Sequence, residues 1–187
     1  MTVLPWPDHL LTLQEWDALP EDTSRHYELV EGVLIVSPRA ASMHQRASRW
    51  IAHTLEEQLP DRLTALQDME VVIDARFPAT VRAPDVVVAT NELAEQNLPR
   101  FFASDVLLAV EIISPGSRKQ DRVMKPAEYA EAGIPDYWLI DLEEPATLTA
   151  YLLVDGYYEI VAEVTDEVRL SGPAPVTLDV RKLTARR

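Results

Sequence analysis

The chain has 187 residues and no cysteine, which excludes disulfide frameworks, thiolate metal sites and cysteine nucleophiles. Its 31 Asp and Glu against 17 Lys and Arg leave a formal net charge of −14, which argues against tight general binding to nucleic acid but leaves room for a local basic patch. Asp8, His9, Gln14 and Glu15 interrupt the first stretch, so it reads as neither a secretory signal nor a membrane span, and a soluble cytoplasmic protein is the default.

In chain order, 13–19 predicts a short helix. The segment 27–37, YELVEGVLIVS, predicts a hairpin turning at Glu31-Gly32 and ended by Pro38. Ser42 is placed to cap a helix over 43–59, where Met43, Ala47, Trp50, Ile51, Leu55 and Leu59 recur at helical spacing. Three strand-like runs follow: 64–74, 82–89 (RAPDVVVA) and 106–114 (VLLAVEIIS). The last two are nearly continuous apolar runs of the kind buried on both faces of a sheet. The polar stretch 90–102 predicts a surface loop or short helix. After a polar link at 115–120, a helix is expected over 121–132, with Pro126 in its first turn or kinking it. YWLID (137–141) reads as a further strand, 147–164 as a hairpin turning at Asp155-Gly156, and the stretch from Asp166 as an edge strand before a basic tail. One α/β domain spanning 1–187, a mixed sheet flanked by helices, accommodates this order.

Asp85 and Glu111 stand out because each interrupts an apolar strand. A carboxylate in such a place is costly unless paired, protonated or bound to a cation. On neighbouring strands of one sheet the two converge into a site for a hard cation, since Mg²⁺ takes one or two carboxylates and keeps several waters. The alternative has Asp85 capping a strand end and Glu111 paired with an arginine. Lys125 could orient a water or stabilise charge on phosphorus, or be a solvated helix lysine paired with Asp121 at i, i+4. Arg118, Lys119, Arg122 and Lys125 form the densest basic run and the expected source of a local positive field. His44, at the start of the long helix, could face the same cleft as ligand or base, or be a polar helix-start residue. Glu28 lies on the opposite face of its strand from Tyr27 and Leu29. Tyr129, Tyr137, Trp138, Tyr151 and Trp50 read as core. With five glycines and no glycine-rich phosphate loop or G-x-S-x-G elbow, nucleotide-dependent and serine-hydrolase chemistry are disfavoured.

YELVEG (27–32), Ser37-Pro38 followed by His44, RAPDVVV (82–88), VEIISPGS (110–117), DRVMKPAEYAEAGIPDYWLID (121–141) and DGYY (155–158) occur here in one order and spacing. In these the chain resembles the Uma-type family, a group of endonucleases by expectation, within the PD-(D/E)XK restriction-endonuclease-like superfamily. The resemblance runs over about 27–158. It implies a restriction-endonuclease-like fold, Asp85 and Glu111 as ligands of Mg²⁺ or Mn²⁺, and the Ile112 carbonyl as a further ligand. The superfamily's lysine two residues after the glutamate is replaced by Ile113, and Lys125 matches a lysine carried on the following helix. Lys125 and Tyr129 are spaced like the Q-x-x-x-Y pair of RecB-like nucleases, whose helix-borne histidine ligand His44 would match. DNA is the implied substrate. The alternative is a catalytically inactive member serving protein association, with a homodimer as the expected assembly and no membrane partner.

Overall fold

The computed structural model describes residues 7–20, 25–37, 39–114 and 120–185. Pro38, the 115–119 part of the polar link with Arg118 and Lys119, and the end of the basic tail lie outside the described residues.

Helix α1 (Leu13–Asp17) starts at Thr12, whose hydroxyl accepts from the Glu15 N–H while the Glu15 carboxylate accepts from the Thr12 N–H, a reciprocal cap. Strands β1 (His26–Val30) and β2 (Val33–Ser37) form the expected hairpin, and both turn residues, Glu31 and Gly32, have positive φ (48° and 75°). This is the turn geometry whose twist matches that of paired strands. Helix α2 (Ser42–Glu56) follows. Its N-cap is Ala41 and not Ser42, which is already helical, and no side chain caps the helix.

The run 64–74 is two strands, β3 (Leu63–Gln67) and β4 (Glu70–Asp74), in different sheets. Asp68, at φ 53°, turns the chain between them. The run 82–89 is broken in the same way, into β5 (Thr80–Arg82) and β6 (Val86–Thr90). Pro84 in the gap has no N–H to give a ladder. Alternation and apolarity continue across both breaks, so only the pairing reveals them. Between β6 and β8 (Leu108–Ile112) come a short helix α3 (Asn91–Ala94) and a strand, β7 (Arg100–Phe102), in a stretch too polar to read as strand.

Helix α4 (Lys125–Glu131) is preceded by a π-helical turn over Gln120–Met124. Pro126, second in α4, removes one N–H and crowds the carbonyl four residues back, which accounts for the widened turn. Strands β9 (Asp136–Asp141), β10 (Thr147–Val154) and β11 (Tyr157–Val164) follow, the last two joined at Asp155-Gly156. The C-terminal stretch is not an edge strand. It makes its own hairpin, β12 (Glu167–Leu170) with β13 (Val176–Asp179).

A five-stranded sheet runs β2-β1-β5-β4-β7 and a six-stranded sheet β11-β10-β9-β8-β6-β3. Strand β8 pairs antiparallel with β6 and parallel with β9. On one face of the larger sheet, Val86, Val88, Leu108, Val110 and Trp138 meet Ile51 and Leu55 of α2 and Leu178 of the C-terminal hairpin. On the other, Val87, Ala109, Tyr137 and Leu139 meet Val71 and Phe101 of the smaller sheet and Tyr129 of α4. Both faces are covered, which is why β6 is apolar over 86–89 and β8 is apolar apart from Glu111. Truncating Ile51 or Leu55, both fully buried, to Ala would cost about 2–5 kcal/mol. Among the described residues no helix is long and apolar enough to cross a membrane.

Candidate active site

The chain passes from one sheet to the other between Arg82 and Val86, and Asp85 sits in that passage. Its backbone carbonyl accepts from the Ser48 hydroxyl of α2 at 3.2 Å, and Ser48 accepts from Gln67 at 2.7 Å. Val86 opposes Val110 in the β6–β8 ladder, so Asp85 falls beside Glu111 one step further on. The Ile112 N–H donates to Asp85 Oδ2 at 2.7 Å. Asp85 therefore does cap a strand end, while standing next to the second carboxylate.

His44, in the first turn of α2, reaches the same point. Its Nε2 lies 2.9 Å from the Ile112 carbonyl oxygen and 3.3 Å from Asp85 Oδ2. A carbonyl only accepts, so Nε2 carries the hydrogen. Burial opposes protonation of His44, but the Asp85 carboxylate and the Ile112 carbonyl outweigh it and raise the imidazole pKa. In this arrangement His44 is a donor, and it must lose that hydrogen to act as a ligand.

Glu111 is buried and bonded at both oxygens: Lys125 Nζ donates to Oε2 at 2.8 Å and the Tyr129 hydroxyl to Oε1 at 2.6 Å. The arginine partner considered for it is thus a lysine and a tyrosine. Lys125 is buried as well. Its ammonium also lies 3.3 Å from Asp121 Oδ1 and 3.4 Å from Glu28 Oε1, so the i, i+4 pair with Asp121 exists inside the protein and not in solvent. Burial pushes Glu111 up to about 8 against the pull of Lys125, with Asp85, Asp121 and Glu28 adding to the rise. Against its own burial, Glu111, Glu28 and Asp121 hold the proton on Lys125. Burial is the larger cause for Glu111, while the surplus of carboxylates over cations adds to its rise and accounts for that of Lys125.

Four further residues belong to the cluster. Glu28 of β1 is buried, Arg82 of β5 is fully buried, and Asp121 and Glu128 flank Lys125 along the chain. Arg82 makes a two-pronged bond to Glu128, Nε to Oε2 and one terminal nitrogen to Oε1, both 2.7 Å, and its other terminal nitrogen lies 3.1 Å from Glu28 Oε2. Burial would raise Glu28, but Lys125 and Arg82 overcome it and lower its pKa. Alternation placed Glu28 on the face away from Leu29; nothing local signalled that this face meets Arg82 or Lys125. The described part of the basic run is spent in ion pairs: Lys125 as above, and Arg122 on Asp141 at 2.6 Å. Both are paired with carboxylates, which offset part of the positive field expected there.

Asp85, the Ile112 carbonyl and Glu111 are hard oxygen donors, with one imidazole beside them, a set that fits Mg²⁺ or Mn²⁺. Among the described residues no three carboxylate, imidazole or thiol side chains are arranged to hold a metal, so a shell here must draw on the carbonyl and on water.

Two mixed β-sheets flanked by helices, with Asp85 set beside Glu111 by the β6–β8 register, form a restriction-endonuclease-like α/β fold. The chain belongs to the Uma2 family, described as "Putative restriction endonuclease", which it matches over residues 13–185. Its fold is similar to that of a crystal structure from Anabaena variabilis ATCC 29413, described as "a putative nuclease belonging to DUF820". The TM-score is 0.71 at 22% identity, covering 92% of this chain and 97% of the other. No curated protein matches the sequence.

Proposed function

We propose that this protein is a divalent-metal-dependent nuclease that hydrolyses DNA phosphodiester bonds. The observation that carries the reading is the convergence of Asp85, the Ile112 carbonyl and His44 at one point beside the Glu111–Lys125 pair. Asp85, Glu111 and the Ile112 carbonyl would hold Mg²⁺ or Mn²⁺, with His44 completing the shell once Nε2 is deprotonated. Such an ion polarises a phosphate and acidifies an attacking water. Lys125, fixed on Glu111, provides a charge positioned to offset that developing on the phosphate oxygens. Family membership supports the reaction class. The test is cleavage of plasmid and single-stranded DNA with Mg²⁺, Mn²⁺ or EDTA: cleavage that needs the metal and disappears in Asp85→Ala supports the reading, and unchanged cleavage in that variant overturns it.

A second reading, a catalytically inactive member used for protein association, is favoured by the −14 charge and by Glu111 having both oxygens already bonded. Calorimetry separates the two. A working site binds Mn²⁺ or Mg²⁺ and loses that binding in Glu111→Ala; an association module binds neither ion in either form.

A further inference from the structure

The reaction proposed above makes no use of the fully buried Arg82, although it is tied to the same pocket. Its guanidinium is divided between two elements. Two nitrogens grip Glu128 of α4 at 2.7 Å each, and the third reaches Glu28 Oε2 of β1 at 3.1 Å. Glu28 is divided in turn. Its Oε1 lies 3.4 Å from Lys125 Nζ and 3.4 Å from the Ala83 N–H. Glu128 stands three residues after Lys125, so the grip on Glu128 holds the turn of helix from which the lysine side chain rises.

Lysine is a flexible four-carbon stem, and its ammonium accepts many geometries. Asp121 touches it at 3.3 Å from the preceding π turn, but shares the lysine's own stretch of chain and moves with it. Among the described residues, Glu28 and Glu111 are those that reach the ammonium from the sheets, and they come from different ones, β1 and β8. A staple joining helix to sheet would need no more than the Arg82–Glu128 fork. Turning Glu28 onto both Arg82 and Lys125 adds a buried charge that such a staple does not require, and burying charge is unfavourable unless each partner is matched.

We propose that Arg82 and Glu28 are positioning residues, a clamp across the seam of the two sheets that fixes the Lys125 ammonium against Glu111. In its kinetic consequence this rests on the nuclease reading; in its structural consequence it stands apart from it. The chain has three lysines, at 119, 125 and 182, so full-length protein labelled with ¹³C at lysine Cε gives three resolvable signals, assigned with Lys119→Arg and Lys182→Arg. A clamped Lys125 shows two inequivalent Hε protons. In Glu28→Gln, with the melting transition retained, these merge toward one shift, and kcat for DNA cleavage falls at least tenfold with KM within about twofold. Glu28→Asp, which keeps the charge, restores part of both. A folded Glu28→Gln protein whose Lys125 signals match the parent's overturns the proposal. If Glu28→Gln does not fold, Arg82→Lys, which keeps charge but cannot make the fork, is measured in the same way, and parent-like Lys125 signals in it overturn the proposal equally. Absence of cleavage by the parent protein overturns the nuclease reading alone, and the Hε signals still decide the clamp.

Discussion

The Lys125 ammonium of α4 lies 2.8 Å from Glu111 Oε2 of β8, and both side chains are buried. Packing of the helix against the sheet thus brings a helix-borne lysine onto the glutamate. The pair ties helix to sheet, and in the proposed reaction it would also carry the chemistry.

Removing Lys125 leaves Glu111 buried without its cation, so that it must take up a proton or bear an uncompensated charge. Lys125→Met is expected to lose about 3–5 kcal/mol of unfolding free energy in urea at pH 8. Combining it with Glu111→Gln, which keeps an acceptor for the Tyr129 hydroxyl, should recover at least half of that loss. A single-variant loss below about 1 kcal/mol would show that the pair is not closed in solution.

Asp85→Asn separates charge from geometry. An amide oxygen still accepts the Ile112 N–H that now meets Oδ2 at 2.7 Å, so the melting temperature should stay within a few degrees. Mn²⁺ affinity measured by calorimetry should fall more than about tenfold, because a neutral amide replaces a carboxylate ligand. Unaltered affinity would place the ion elsewhere.

Asp136, the first residue of β9, has its carboxyl pushed from 3.8 up to about 6 by burial. The folded protein therefore binds this proton more tightly than the unfolded chain. Its contribution to stability is complete below about pH 4 and is lost as pH rises through about 6. Asp136→Asn removes that loss. The gain, discounted because the group is only half-buried, should be about 1 kcal/mol at pH 7 and vanish near pH 4. Thermal melts across that range check it; an equal gain at both ends would rule the carboxyl out as the cause.

Gly32 and Gly156 both have positive φ, 75° and 86°, in hairpin turns. A Cβ on Gly32 would stand 2.8 Å from Leu10 Cβ and 3.1 Å from the Leu11 carbonyl oxygen, whereas one on Gly156 meets nothing within 4 Å. Gly156→Ala should cost about 1 kcal/mol, the backbone share alone. Gly32→Ala should cost about 1–3 kcal/mol more and loosen the 10–11 segment, whose Leu11 N–H donates to the Gly32 carbonyl at 2.7 Å. Equal losses in denaturant titrations would mean the segment yields without resistance.

Much of the architecture was legible in the residues. The two turn pairs, Glu31-Gly32 and Asp155-Gly156, mark hairpins because few residues other than glycine tolerate positive φ. The α2 stripe of Ala47, Ile51 and Leu55 marks a buried helix face, and the apolar runs at β6 and β8 mark strands covered on both sides. The breaks at Asp68 and at 83–85 were hidden, because a strand that changes sheets keeps its alternation while it changes partners.

For Asp85 and Glu111, the residues alone show that two carboxylates interrupt apolar strands and need partners, since an apolar run around a charge marks it for burial. Which partners they have was decided only by tertiary structure. The β6–β8 register sets Asp85 beside Glu111, α2 brings His44 to the Ile112 carbonyl, and the seam between the sheets gathers Glu28, Arg82 and Lys125. Glu28 and Arg82 are 54 residues apart. Periodicity reports which face a side chain takes, and only strand order and register decide what that face meets.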